Sequence, residues 1–102
     1  MDVKSFMLVT GQELIAQQVD ITGRGYKIKN PLVVHMMRSE NGVNLGFAQW
    51  SMIHKPDVVI ELLTGGLAAD PVTVLEEVET RYLSNISGIM LPPSTAGRIL
   101  QG

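Results

Sequence analysis

The clearest pattern along the chain lies between Ser5 and His35. Three apolar runs are separated by two turn signals, Thr10-Gly11-Gln12 and Thr22-Gly23-Arg24-Gly25. Runs rich in Val, Ile and Leu between Gly-containing turns predict strands joined in hairpins. From Leu14 to Ile21 the side chains nearly alternate, with Leu14, Ala16 and Gln18 on one face and Ile15, Gln17, Val19 and Ile21 on the other. Both faces carry apolar residues, so this strand is expected to be covered on both sides for part of its length. Tyr26, Ile28 and Leu32-Val33-Val34 continue the meander. Pro31 lacks a backbone donor and marks a bulge, a strand start or an edge.

The third strand extends to Met36 or Met37 and turns at Ser39 to Gly42, where Asn41-Gly42 accepts the positive φ angles of a tight hairpin. The return strand covers Val43 to Ile53, with Leu45, Phe47, Gln49 and Ser51 on one face and Gly46, Ala48, Trp50 and Met52 on the other. At least one of Phe47 and Trp50 is expected in a core or a subunit interface. Gly46 suggests a bend or a close backbone approach. After the polar break His54-Lys55-Pro56-Asp57, Val58 to Leu63 forms a fifth strand. Five antiparallel strands in up-and-down order predict a strongly bent sheet or a small open barrel.

Asp70-Pro71 signals a helix start, and the helix is expected over about 71–87. Val74, Leu75, Val78, Tyr82, Leu83 and Ile86 recur at helical spacing as one apolar stripe, leaving Glu76, Glu77, Glu79 and Arg81 outside it. Ser87-Gly88 reads as its stop. Because Val72, Thr73 and Val74 are indifferent helix formers, a strand at the beginning is the alternative. The stretch 89–102, with Pro92-Pro93, reads as an extended arm. The whole is one domain over 1–102, with core strands over about 5–63.

Composition adjusts this picture at a few points. The chain has 102 residues, of which 45% are hydrophobic, and its mean hydropathy is +0.19. A small monomer has much surface to keep polar, so this content suggests apolar surface buried between subunits, the alternative being a merely compact, Leu/Val-rich domain. A net charge of −2 is unlike the basic footprint of a free-standing nucleic-acid binder, although a local basic patch would still act through its own field. Without cysteine the chain has no disulfide, thiol nucleophile or Cys-ligated metal site, which fits a reducing compartment. No apolar h-region opens the chain and no apolar run approaches the roughly 18 residues of a membrane span. A soluble, cytoplasmic protein that does not enter the membrane is expected. His35 and His54 are the two histidines and show no metal-ligand spacing. The serines lack a nucleophile-elbow context, and Gly65-Gly66 lacks the Lys of a phosphate loop. No enzymatic activity and no cofactor are expected.

Three segments resemble the Sm/LSm family, and in particular the small Sm-like proteins of cyanophage type. Leu8-Val9-Thr10-Gly11-Gln12-Glu13 resembles a first Sm strand ending in a small Gly turn. Tyr26-Lys27-Ile28-Lys29-Asn30-Pro31-Leu32-Val33-Val34 resembles the Sm segment ending in Asn-Leu-Val-Leu. Ile53-His54-Lys55-Pro56-Asp57-Val58-Val59-Ile60 is similar to the second Sm motif, Ile-Arg-Gly-x-x-Val-x-x-Ile, and carries the Lys-His pair of the bacterial member in reversed order. The resemblance implies a homo-oligomeric ring, pentamer to heptamer, joined through the fourth strand of one subunit and the fifth of the next. Edge pairing in a closed ring satisfies both free sheet edges. It also implies that the two loops converge on a pore, where Tyr26, Lys27, Lys29, Asn30, His54 and Lys55 would bind single-stranded RNA. Lysines would hold phosphates, and Tyr26 or His54 would stack on bases. The alternative is that Lys27 and Lys29 are solvated strand residues, Asn30 caps a turn and His54 is a surface turn residue.

The chain departs from the family pattern in three places. Its one expected helix follows the strands instead of preceding them. The acidic residue ahead of the loop Asn is missing. His54-Lys55 replaces Arg-Gly. The acidic balance and the missing acidic residue favour a second expectation, a structural or scaffold ring of a phage with no nucleic-acid role. A phage-encoded chain of either kind would work in the cytoplasm of a bacterial host.

Overall fold

The computed structural model describes residues 2–90. Its strands are β1 (Asp2–Met7), β2 (Glu13–Ile21), β3 (Gly25–Ser39), β4 (Gly42–Gln49), β5 (Val59–Leu63) and β6 (Val72–Thr73). A 3-10 turn covers Thr64–Gly66, and one helix, α1, covers Glu76–Met90. All strand pairs are antiparallel, in the order β4-β3-β2-β1-β6 with β5 also on β3. The result is a bent sheet, not closed, followed by one helix, which matches an Sm-like bent sheet plus helix.

The bend has a local cause. Ile15 pairs with Leu32 and Gln17 with Lys29, so Asn30 and Pro31 together face Ala16 alone. Two residues opposite one is a β-bulge, which bends the strand and adds twist. Pro31 therefore sits where its missing donor is harmless. The bulge also divides β3 between two partners. Leu32 to Ser39 pair with β4, whereas Gly25 to Lys29 pair with β5.

This pairing departs from a simple up-and-down succession. At 15 residues, β3 is far longer than the 8-residue β4. The first half of its edge stays open after β4 ends at Gln49, and β5 fills it. Gly25 permits that approach, since a Cβ there would collide with the Leu62 carbonyl oxygen. Gly46 serves a similar close contact, with the His35 ring where a Cβ would project.

The sheet is packed on both faces. Val3, Ile15 and Leu32 meet Tyr82 and Ile86 of α1 on one side, with Val34, Phe47, Val74 and Val78 around them. Phe6, Leu14, Ala16, Ile28 and Leu62 fill the other side, which the bent sheet covers by itself, with Tyr26, Trp50 and Ile60 against them. Leu14, Ile15 and Ala16 are consecutive and all buried, as a strand covered on both sides requires. Phe47 and Trp50 each pack against one of the two clusters. Fully burying a side chain the size of Phe6 or Ile28 contributes about 1.5–3 kcal/mol.

The helix begins at Glu76, not at Pro71. Val72 and Thr73 instead pair with Ser5 and Lys4 at the outer edge of β1, and the Lys4 ammonium donates to the Thr73 hydroxyl at 2.8 Å. An open strand edge outweighs the capping signal of Asp70-Pro71 where the next residues are β-branched. Glu76, Glu77 and Glu79 then occupy the first turn, where carboxylates favour the helix dipole. The helix buries Tyr82 and Ile86, with Val78 and the preceding Val74 half-buried against the same cluster, and leaves Leu83 exposed at its margin. It passes Gly88 and continues to Met90. Of the arm expected over 89–102, residues 89 and 90 belong to α1, and the rest lies outside the described residues.

Candidate functional site

The bulge in β3 meets the β4–β5 loop at one point. Asn30 has a φ of 52° and Asp57 a φ of 66°. Each costs about 1–3 kcal/mol for a non-Gly residue unless its surroundings hold it, and Asn and Asp tolerate this region better than most. Here the surroundings do hold both. The Asp57 amide donates to Asn30 Oδ1 at 2.9 Å. Asn30 Nδ2 donates to Gln17 Oε1 at 3.0 Å and to Asp57 Oδ1 at 3.3 Å. Lys29 Nζ lies 3.6 Å from the same Asp57 oxygen. From the helix side, the Tyr82 hydroxyl donates to the Asn30 carbonyl at 2.6 Å.

Beside this junction opens a cleft of about 240 Å³. Pro31, Leu32, Val58, Ile60 and Ile86 give it apolar walls, while Asn30, Gln49, Ser51, His54 and Lys55 give it polar ones, with Met52 and Pro56 completing the lining. His54 and Lys55 are exposed. A cleft of this kind suits a flat, partly apolar group joined to an anion.

Of the six residues named from the sequence, Asn30, His54 and Lys55 line this one cleft. Lys29 adjoins it through Asp57. Lys27 lies outside the lining, exposed on β3 and in register with Asp20 of β2 and Glu61 of β5. Tyr26 also lies outside. Its ring is half-buried in the core and meets Phe6 edge-on, with centroids 6.0 Å apart, so its face is engaged in packing.

Asp57, Gln49 and Ile86 are site residues that the sequence reading did not single out. Asp57 closes the His54-Lys55-Pro56-Asp57 turn, and its residue type in a polar break is the only signal that could have marked it. Ile86 belongs to a stripe that reads as core.

A second polar group near the opposite end of β5 is structural. The Thr22 hydroxyl donates to Glu61 Oε2 at 2.6 Å, and the Arg24 guanidinium pairs with Glu61 Oε1 at 2.5 Å. The Thr22 hydrogen bond above all, with Arg24 and Lys27 adding to it, holds the Glu61 carboxyl below its ordinary range. This ties the β2–β3 turn to β5.

No family model matches the chain, and no curated protein matches it. The likeness to the Sm fold therefore rests on the arrangement of the bent sheet and its helix alone. Among the described residues no helix is long and apolar enough to cross a membrane.

Proposed function

We propose that the protein is a homo-oligomeric Sm-like ring that holds single-stranded RNA at a rim built from the β3 bulge and the β4–β5 loop. The observation that carries this reading is the junction of Asn30 with Asp57, which gathers Lys29, Asn30, His54 and Lys55 beside one cleft. A base would enter the cleft against its apolar walls, and its phosphate would meet Lys55 and Lys29 at the mouth. Ring symmetry repeats this small patch, so a chain of net charge −2 can still present a cationic rim.

Assembly has its own support. Within the described residues, β4 and β5 each pair on one side only. Val43, Val59 and Leu63, on these strands, are 56%, 47% and 52% exposed. Apolar strands with few protective charges favour pairing with another copy. A pentamer to heptamer is the expected size.

The test is light scattering after size exclusion, with and without a mixed pool of short RNAs. A closed oligomer that carries RNA, and releases it when Lys29 and Lys55 are both changed to Ala, supports the reading. The salt dependence should also flatten, by roughly 0.7 in log–log slope for each lost phosphate contact to a single strand. A second reading is a structural ring of a phage with no nucleic-acid role. The Lys29–Asp57 pair favours it, because the carboxylate offsets one of the few cations at the site. A closed oligomer that ignores RNA would select this reading, and a monomer would remove both.

A further inference from the structure

Helix α1 reaches the cleft through Ile86 and the β3 bulge beside it through Tyr82. Ile86 is 5% exposed and is one of the lining side chains. Four residues earlier, Tyr82 is wholly buried. A Phe there would fill nearly the same core volume, so the hydroxyl calls for a reason beyond packing. Its partners supply one. It donates to the Asn30 carbonyl at 2.6 Å, with the Lys29 carbonyl 3.4 Å away. These are the two residues whose side chains reach Asp57.

We infer that Tyr82 is a positioning residue of the cleft: by holding the Lys29 and Asn30 carbonyls toward the helix, it fixes the β3 bulge and, through the Asn30–Asp57 junction, the loop that carries His54 and Lys55. A peptide plane anchored at its carbonyl cannot rotate freely. The left-handed backbone of Asn30 is thereby kept, and its side-chain amide stays directed at Gln17 and Asp57. The helix is then part of the site as well as a cover for one face of the sheet. The consequence for RNA rests on the proposed rim function, but the positioning itself does not.

The full chain carrying Tyr82→Phe tests this, with Val3→Ala as the comparison. Val3 lies in the same buried cluster as Tyr82, so its truncation loosens the core without touching the hydroxyl. Two quantities are read under conditions where both variants are folded: hydrogen exchange at the Asp57 amide by NMR, and filter binding of a mixed pool of short single-stranded RNAs. In Tyr82→Phe the Asp57 amide should exchange about threefold to tenfold faster, the range of one lost hydrogen bond, and RNA affinity should fall by a similar factor. Val3→Ala should leave both near wild type. Unchanged Asp57 exchange in Tyr82→Phe overturns the inference, as does equal acceleration in Val3→Ala. If wild type retains no RNA, the rim function fails, and the exchange measurement still decides the positioning.

Discussion

The two ends of β3 lie in opposite environments. Gly25 to Lys29 lie between β2 and β5, with Gly25 and Ile28 buried. Beyond the bulge, Leu32 is buried, but from His35 onward every residue of the strand is exposed. Met36 and Met37 are 72% and 50% exposed, although they are as apolar as the residues before them. Burial along this strand follows the cover each half receives. The first half is enclosed because β5 returns to it. The end of the second half extends with β4 as a two-stranded hairpin with no third strand beside it among the described residues.

The largest expected effect breaks the enclosed half. Ile28→Ala removes a fully buried side chain from the inner cluster and should cost about 2–5 kcal/mol in urea unfolding. Gly25→Ala places a Cβ against the Leu62 carbonyl. It should cost about 1–3 kcal/mol as overpacking and should unprotect β5 amides in hydrogen exchange. Tyr82→Phe should cost about 0.5–1.5 kcal/mol. Burial pushes the Tyr82 hydroxyl well above its ordinary value of 10. Since the folded state holds this proton more tightly, stability is intact below pH 10 and is lost as pH rises above it. The Phe variant should lack that alkaline component.

The Glu61 tie sharpens the comparison from the acid side. Its carboxyl is held below the ordinary 4.5, chiefly by Thr22. The stabilisation is present above pH 4.5 and is lost as pH falls through the lower folded value. Glu61→Gln should flatten this part of the acid-unfolding curve. The smallest expected effect lies in the open half, where Met37→Ala should change the stability of the isolated chain by no more than about 0.5 kcal/mol. A larger loss that grows with protein concentration would show that another copy covers this hairpin.

Much of the fold was legible in the sequence, and the reasons are local. Alternation fixed β2, and two-faced burial followed from Leu14, Ile15 and Ala16. Asn41-Gly42 marked the β3–β4 turn, which the structure places between Ser39 and Gly42. Pro31 announced an irregularity that is the bulge itself. The less local features were read less well. The partner of β5 depends on how much of the β3 edge β4 leaves open, a matter of relative lengths after bending. The helix starts at Glu76 because Val72 and Thr73 pair with β1, the strand alternative that their poor helix propensity offers, and only the choice between the two depends on a free strand edge. At the candidate site, His54, Lys55 and Asn30 were found as residues in turns. Asp57 and Ile86 were not, because their importance comes from contacts across Asn30 and from the helix. The resemblance makes Tyr26 a base-stacking candidate, whereas it shares a face with Ile28 and packs with it against the inner cluster.

The division of β3 also orders events in time. The β3–β4 hairpin closes across a tight turn, with Ser39 opposite Gly42, whereas Lys29 must wait for Val59 to return from beyond that hairpin. Short closures cost less chain entropy and form sooner than long ones. The exposed hairpin should therefore form early and the cleft late, when β5 docks. In pulsed exchange, the amides of Val34 and Phe47 should gain protection before that of Ile60. A nascent chain would then display its apolar hairpin before it owns a cleft with which to bind anything.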